Sequence, residues 1–268
     1  MRQDENVTHM NATHDDLAGN QGIGRYVIVP GSMARAKQIS THFDNVRVNE
    51  HPRGHHLYMG TYQGVDVASV STGMGCSSAD IILNELYMLG AKRFLRVGTA
   101  GSMQGDRIKI GDIVVATAAV RDEMATRAYA TAEVPAVASW PMLQAIEAAR
   151  TTVDRPVHFG TVHCKASYHG RQLGMGPLGE KNKQYLEMIR QNGILATEME
   201  TALIYILSNV FNQQSVSAGD GPVYAGGILA IAGDGEAIGT ADEIQAAEAA
   251  AIQYALDAVV ALNKQEKN

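Results

Sequence analysis

The chain has 268 residues, of which 46% are hydrophobic and 19% charged, and its formal net charge at pH 7 is −6. This composition supports one large folded α/β domain and excludes a disordered chain. The net negative charge argues against a nucleic-acid-binding surface, which needs clustered Lys and Arg. No apolar run approaches the length of about 18 residues typical of a membrane span, and the polar N-terminus lacks the apolar segment of a signal peptide. We therefore expect a cytoplasmic protein that binds neither membranes nor nucleic acid.

Several well-known site motifs are missing from the sequence. Cys76 and Cys164 are the only cysteines and have no metal-like spacing, so we expect two reduced thiols. The histidines show no HExxH pattern, and we predict no metal site. The glycine pair around Met74 lacks the third glycine of a dinucleotide fingerprint, and neither a Walker motif nor a Gly-x-Ser-x-Gly elbow occurs. A dinucleotide-dependent oxidoreductase is thus disfavoured.

Short apolar runs bounded by glycines alternate with helical patterns along the chain. We predict strands over residues 26–30, 56–61, 65–71, 93–97, 113–116, 157–163 and 224–232. We predict helices over residues 33–43, 77–89, 140–150, 180–191, 196–210 and 241–262, with loops at 170–179 and 212–222. This alternation favours a mostly parallel central sheet covered by helices on both faces.

The first candidate site motif is VPGSMAR, residues 29–35. A strand that ends in glycine exposes backbone N–H groups, and the following helix N-terminus adds positive partial charge. Arg35, one turn into the helix, would bring a guanidinium to the same anion. An ordinary strand-to-helix turn with a surface arginine is the alternative interpretation.

The second candidate motif is RVGTAG, which begins with Arg96 near the end of an apolar strand. A buried arginine is costly without an anionic partner. Its position just before a glycine turn is where ligands of α/β sheets usually bind. A structural ion pair with a carboxylate of the protein is the competing explanation.

Two further motifs carry acids. In ATEMETA, Glu198 and Glu200 lie two residues apart in an apolar stretch, so one can cap a helix while the other faces a pocket and holds sugar hydroxyls. A capping acid beside a surface acid is the alternative. In GDGE, residues 233–236, an acid after the last strand can hydrogen-bond a leaving base, whereas a simple Asp-Gly turn is the common alternative.

In this order, the motifs resemble the nucleoside phosphorylase family that includes uridine phosphorylase and the hexameric purine nucleoside phosphorylases. The resemblance runs from about residue 26 to 262 and rests on the segments VPGSMARA, STGMG, FLRVGTAGSMQ, IKIGDIVVATAAVRDE, EVPAVA and TEMETA. It implies a three-layer α/β/α fold with a mixed, twisted central sheet. It places the phosphorylase domain at residues 25–264, after a partly flexible N-terminal extension, residues 1–24.

The resemblance also implies residue roles. Phosphate would be held by Gly31, Arg35, Arg53, Arg96 and Thr99. Ribose would be held by His14, Thr99, Glu198, Met199 and Glu200. Arg53 and His14 would act on the site of a neighbouring subunit, which implies a homo-oligomer built from dimers, namely a hexamer. Glu200, Arg96 and Asp234 would take part in catalysis, with inorganic phosphate as a co-substrate and no cofactor.

Base recognition departs from the family pattern. Tyr168 matches the aromatic residue over sugar and base, but Ala166 stands where the family usually has Asp. Arg171 and Gln172 supply the residue types with which uridine phosphorylases read uracil, in another order and spacing. Asp234 can be aligned with the acid that purine enzymes use, although a shift of two residues puts Ala232 there.

The expected activity is therefore phosphorolysis of a nucleoside to a free base and (deoxy)ribose 1-phosphate, most closely that of a uridine phosphorylase. A purine nucleoside phosphorylase keeps the fold and changes the base. A hydrolytic nucleosidase is disfavoured because Arg35 and Arg96 supply more positive charge than a water site needs. A nucleoside-binding protein without turnover is the alternative from another functional class.

Overall fold

A computed structural model of the protein describes residues 7–235 and 237–267. The first six residues of the expected N-terminal extension and Glu236 of the GDGE motif lie outside this range. Within it, no helix combines the length and the apolar character needed to cross a membrane. The N-terminal segment contacts the domain directly, since the backbone N–H groups of Thr8 and His9 donate to the Glu85 carboxylate.

Strands and helices alternate as the glycine-bounded pattern predicts. The strands are β1 (Tyr26–Ile28), β2 (Asp44–Asn49), β3 (Leu57–Tyr62), β4 (Val65–Ser69), β5 (Arg93–Ser102), β6 (Ile113–Asp122), β7 (Ala136–Val137), β8 (Val157–Lys165), β9 (Ala196–Glu198) and β10 (Tyr224–Gly233). The α-helices are α1 (His14–Leu17), α2 (Met33–Ser40), α3 (Cys76–Met88), α4 (Trp140–Ala148), α5 (Gly179–Gln191), α6 (Thr201–Ala218) and α7 (Ala241–Lys267). A one-turn π-helix, Tyr168–Gln172, follows β8.

All strands belong to one sheet with the order β10-β6-β8-β9-β5-β1-β4-β3-β2, and β7 pairs with β6. Because β10 also pairs with β5, the strands β5, β10, β6, β8 and β9 form a closed ring. The pairings β1–β5, β10–β5 and β6–β8 are parallel, whereas β10–β6 and β5–β9 are antiparallel. The sheet is therefore mixed, as the family resemblance implies, and not mostly parallel as the alternation alone suggests.

Two apolar cores lie on opposite sides of the sheet and give the three-layer arrangement. One core packs buried residues of α3 and α6 against the strands, with Leu83 and Leu203 fully buried. The other packs α4 and α7 against the opposite side, with Ile146 and Leu256 fully buried. Because helices cover both faces, central strands such as β5 are buried at nearly every position.

The predicted hairpin over residues 56–71 is present as β3 and β4, which pair antiparallel. Its turn uses Gln63 and Gly64, both at positive φ, which suits a two-residue hairpin. The sequence patterns missed β2, which lies at the end of the strand order with almost entirely exposed side chains. Its pairing with β3 shifts register between Asp44 and Arg47, and Asn45 has φ 55° there.

Two predicted segments are wrong. Residues 196–210 are not one helix: β9 ends at Glu198, the chain bends, and α6 begins at Thr201. An apolar run does not by itself distinguish a buried strand from a buried helix. Residues 212–218 belong to α6 and not to a loop, and the helix ends at Gly219 in the left-handed conformation.

Candidate active site

One cavity of about 380 Å³ lies where the loop after β1 meets the last residues of β5, β8, β9 and β10. Its lining residues are Gly31, Ser32, Arg35, Met74, Arg96, Thr99, Ala100, Gly101, Lys165, Tyr168, Gln172, Thr197, Glu198, Met199, Glu200, Ala232, Gly233 and Ile238. We call the part formed by Gly31, Arg35, Arg96 and Glu200 the arginine end. We call the part formed by Lys165, Tyr168 and Gln172 the aromatic end.

Arg96 is held at the arginine end by two carboxylates. Its side chain is buried, with Nη2 2.5 Å from Glu200 Oε2 and Nε 3.0 Å from Glu198 Oε2. Burial lowers the pKa of the guanidinium, but the carboxylates of Glu200 and Glu198 outweigh burial and raise that pKa overall. Arg96 is therefore a permanent cation. Nη1 is buried and has no hydrogen-bond partner among the residues that the structure describes.

The bend between β9 and α6 fixes the two acids. The Glu198 carboxylate accepts from the backbone N–H groups of Glu200 and Thr201, at 2.8 and 2.9 Å to Oε2, and so caps the N-terminus of α6. The Glu200 carboxylate points the other way and accepts from the backbone N–H of Gly75 as well as from Arg96. The two acids thus divide into a capping residue and a residue that faces the cavity, as the spacing suggests.

Gly98 gives the Arg96 guanidinium its space. A Cβ at position 98 would lie 2.8 Å from Arg96 Nη2 and 2.9 Å from Leu229 Cδ2. Both distances are shorter than a carbon atom tolerates. Any larger residue here would force the guanidinium and the Leu229 side chain to shift, which gives the glycine two residues after Arg96 a structural reason.

Arg35 reaches the same cavity from the first turn of α2. Ser32 caps that helix and accepts from the Arg35 backbone N–H at 3.5 Å. The guanidinium is mostly buried and pairs with Glu248 of α7 through Nη2. Its Nε has no hydrogen-bond partner within residues 7–235 and 237–267. Arg35 and Arg96 therefore line one cavity, and each has a buried donor without a hydrogen-bond partner among the described residues.

The aromatic end is built on the π-helix. Ser167 caps this turn by accepting from the Gly170 backbone N–H at 3.1 Å. The Tyr168 ring is 40% exposed at the mouth of the cavity. Gln172 lies beside Gly101, where a Cβ would meet Gln172 Nε2 at 3.3 Å. An amide and an aromatic face thus stand side by side, an arrangement suited to a planar polar ring.

Lys165, the last residue of β8, is a site residue that the sequence analysis missed. Its side chain is buried, and Nζ donates to Thr197 Oγ1 at 3.2 Å and to the backbone carbonyl of Glu198 at 3.4 Å. Burial lowers the pKa of its ammonium, and the Glu198 carboxylate partly opposes that effect. The signal was available in the sequence, because a cation that ends an apolar strand is the same feature that singled out Arg96.

The cavity brings together most residues singled out from the sequence. Those that line it are Gly31, Arg35, Arg96, Thr99, Tyr168, Gln172, Glu198, Met199 and Glu200. Four others do not line it in the single chain: Arg53, His14, Arg171 and Asp234. The roles assigned to all of these residues remain predictions.

The four outlying residues have other surroundings. Arg53 is exposed in the turn after β2, and His14 lies against Gly90 beside a second cavity. The Arg171 guanidinium turns away to Asp122, 2.7 Å from Nε, and to Asn182. The Asp234 carboxylate accepts from the Ala237 backbone N–H and borders a neighbouring cavity.

The arrangement can bind an anion at the arginine end, where Glu200 can also accept from hydroxyl groups, and a flat polar ring at the aromatic end. Within the described part of the chain, no group of three or more His, Cys, Asp or Glu side chains could hold a metal ion.

Comparisons with known proteins identify the family to which this chain is similar. The family model described as "Phosphorylase superfamily" matches residues 25–263. The uridine phosphorylase of Treponema pallidum is 38% identical over 190 residues, which cover 70% of this chain and 73% of that protein. The guanosine phosphorylase of Halorubrum lacusprofundi is 30% identical over 181 residues, covering 68% and 70%.

Solved structures agree with the sequence matches. The crystal structure of uridine phosphorylase from Vibrio fischeri superposes with a TM-score of 0.79 at 26% identity, covering 95% of this chain and 97% of that one. The three-layer fold implied by the motifs is therefore confirmed. Because the family model spans most of the chain and the relatives match over two thirds of their own length, the chain belongs to the phosphorylase superfamily.

Proposed function

We propose that the protein is a uridine phosphorylase. In this reaction an oxygen of inorganic phosphate forms a bond to ribose C1′ while the C1′–N1 bond to the base breaks. The bonding electron pair leaves with the base, which then takes a proton, and the sugar leaves as ribose 1-phosphate. The relatives named uridine phosphorylase in Treponema pallidum and Vibrio fischeri support this assignment.

The observation that carries the proposal is the pair of arginines in one cavity. Arg35 Nε and Arg96 Nη1 are buried donors without partners within residues 7–235 and 237–267. An unpaired buried donor is costly, and an incoming phosphate would satisfy both of these donors with charge-assisted hydrogen bonds. A hydrolytic nucleosidase needs no such pair of cations at the position of its water.

Glu200 occupies the middle of the proposed reaction path. It accepts hydrogen bonds from Arg96 and from the Gly75 backbone. Ribose hydroxyls can replace one of these donors. The carboxylate then stabilises positive charge that develops on the sugar ring as the glycosidic bond lengthens. In the same proposal Met199 packs against the sugar and Thr99 contributes to phosphate and sugar binding, since both line the cavity.

The aromatic end favours a pyrimidine. Gln172 lines the cavity and offers an amide, which matches the alternating donors and acceptors of the uracil edge. Ala232 and Gly233 line the cavity too, whereas Asp234 borders the neighbouring one. A purine enzyme that protonates its base through Asp234 would need that carboxylate inside. The guanosine phosphorylase relative keeps the purine alternative open to test.

A substrate panel tests the assignment. Release of base from uridine, thymidine, inosine and guanosine is measured with and without inorganic phosphate. We expect phosphate-dependent release, fastest with uridine and accompanied by ribose 1-phosphate. Equal release without phosphate would indicate a nucleosidase, faster release from guanosine would indicate a purine enzyme, and binding without product would indicate a nucleoside-binding protein.

We also propose that the active form is a homo-oligomer built from dimers, specifically a hexamer, in the cytoplasm and without a cofactor. Arg53 and His14 lie outside the cavity of their own chain, so their roles require a neighbouring subunit. Mixing the separately inactive variants Arg53→Ala and Glu200→Gln tests this. Reassembled mixtures should regain part of the activity, because some sites then combine an intact Arg53 with an intact Glu200. Mixtures that stay inactive while exchanging subunits would refute it.

A further inference from the structure

We propose that Lys165 stabilises the negative charge of the departing base. This inference rests on the proposed phosphorolysis and deepens it, because neither Arg171 nor Asp234 lines the cavity. Lys165 takes the place that Arg171 was expected to occupy, as the cation of the aromatic end.

The position of the ammonium supports this role. Lys165 lines the cavity together with Tyr168 and Gln172, and Nζ lies 5.9 Å from the centre of the Tyr168 ring. An ammonium has three N–H donors. Thr197 Oγ1 and the Glu198 carbonyl accept two of them, at 3.2 and 3.4 Å. The third donor is left for a group in the cavity.

Lys165 is not needed to neutralise the acids of the site. Arg96 already pairs with Glu198 and Glu200 at 3.0 and 2.5 Å. The ammonium contacts the backbone carbonyl of Glu198 and not its carboxylate. A buried ammonium whose hydrogen-bond partners are neutral oxygens can donate its remaining hydrogen bond to an anion in the cavity, and a base that leaves with an electron pair is such an anion.

A chain of hydrogen bonds holds the ammonium in place. The Thr197 hydroxyl lies 3.0 Å from His163 Nδ1, and His163 Nε2 lies 2.9 Å from Asp122 Oδ2. Nε2 donates to the carboxylate, and in the neutral ring Nδ1 then accepts from the Thr197 hydroxyl, whose oxygen accepts from Lys165. The Arg171 guanidinium also holds the Asp122 carboxylate, with Nε 2.7 Å from Oδ2 and Nη2 2.9 Å from Oδ1. Arg171 thus acts as a positioning residue.

The chemistry follows from the leaving group. When the C1′–N1 bond of uridine breaks, the electron pair on N1 spreads over the ring to the carbonyl oxygens at C2 and C4. A hydrogen bond from a cation to either oxygen strengthens as that charge grows, most of all in a water-poor site. The pKa of Lys165, lowered by burial, favours sharing of the proton with the forming anion.

The test compares two leaving groups in the variant Lys165→Met. Lys181→Met, an exposed position on α5, serves as the control with the same substitution. With uridine, Lys165→Met should lower kcat about 10²- to 10³-fold, the range for removal of one charge-stabilising donor. With 5-fluorouridine, whose base is a better leaving group, the loss should be at least tenfold smaller. The KM for phosphate should stay within about threefold, since the arginine end is unchanged.

Several outcomes would overturn the role. Equal losses with the two nucleosides would make Lys165 merely structural, and kcat within threefold of wild type would remove it from the reaction. Should Lys165→Met fail to fold, Lys165→Gln, which keeps a neutral donor to Thr197, is subjected to the same comparison and must show the same leaving-group dependence. If the wild-type protein releases no base from any nucleoside in phosphate, the proposed function itself fails.

Discussion

The two ends of the cavity are built in opposite ways. At the arginine end, Arg96, Glu198 and Glu200 are almost fully buried and are held by strand ends, a helix cap and one another. At the aromatic end, Tyr168 and Gln172 stand on a single π-turn, and the Tyr168 ring is 40% exposed. Arg96 and Glu198 lie on strands of the closed ring, as does Lys165, whereas the π-turn that carries Tyr168 and Gln172 is an addition to the ring.

This difference separates chemistry from selectivity. A group that must stabilise charge needs fixed partners and little water, which the strands of the ring provide. A group that selects the base needs only to contact one edge of a planar ring, and a short turn can change without disturbing the core. Changes at the arginine end should therefore reduce the rate for every nucleoside, whereas changes on the π-turn, at Tyr168 and Gln172, should alter which nucleoside is preferred.

The largest effect is expected from Arg96→Lys. Lysine keeps the charge but cannot reach both Glu198 and Glu200, as the planar guanidinium does. We expect kcat/KM to fall about 10²- to 10³-fold with uridine and inosine alike. Steady-state kinetics with both nucleosides checks this, with thermal unfolding as a control for folding. A loss of kcat/KM with only one of the two nucleosides would contradict a role of the arginine end in the cleavage of every nucleoside.

Gly98→Ala should have the next largest effect. The new Cβ would lie 2.8 Å from Arg96 Nη2, so the guanidinium must move although no charge is removed. A shift of this kind should lower kcat/KM by between about 10- and 100-fold, by the usual cost of misplaced catalytic groups. Kinetics with varied phosphate is the measurement. Unchanged kinetics would show that the position of the Arg96 guanidinium is not critical.

At the aromatic end, Gln172→Leu should raise the KM for uridine about tenfold, the cost of one or two lost hydrogen bonds. The KM for phosphate should stay constant. Arg171→Met, at the neighbouring position, is the control variant. Because Arg171 pairs with Asp122 outside the cavity, this variant should change the KM for uridine less than Gln172→Leu does. The reverse order would return Arg171 to the base-binding role expected from the sequence.

The smallest effect is expected from Glu248→Gln. The Glu248 carboxylate pairs with Arg35 and competes with phosphate for it. Glutamine keeps an acceptor oxygen but no charge, so the KM for phosphate should fall about threefold, in line with the modest strength of a partly exposed ion pair. Phosphate titration at low salt measures this. A rise in the KM would mean that Glu248 mainly orients Arg35.

The sequence predicted the arginine end better than the aromatic end. Gly31, Arg35 and Arg96 were recognisable because glycine-bounded strands locate ligand sites before any tertiary contact is known. The direction of the Arg171 side chain depends on Asp122, which lies 49 residues earlier in the chain. No local pattern contains that information. Lys165 differs, because a cation at the end of a strand is a local signal that was available and was missed.

The secondary structure shows a similar limit. The bend at Met199 could not be recognised in the sequence, because the short strand β9 leads directly into the apolar helix α6 without a glycine or proline between them. Strand β2 escaped notice because its side chains are exposed, with Val46 and Val48 alternating outward at 44% and 42%. Patterns of hydrophobicity report which side chains are buried. Elements whose side chains are nearly all exposed, or nearly all buried, are therefore the ones most easily misassigned.

Strand β2 is an edge strand, because it ends the strand order outside the closed ring. The backbone groups on its outer side could pair with a strand of a second molecule. The register shift between Asp44 and Arg47 interrupts this edge, and the left-handed Asn45 twists it. A bulged, charged edge is a poor template for intermolecular strand addition. The molecule should therefore resist fibrous self-association at high concentration. Deletion of Asn45, which would straighten β2, should make such self-association easier.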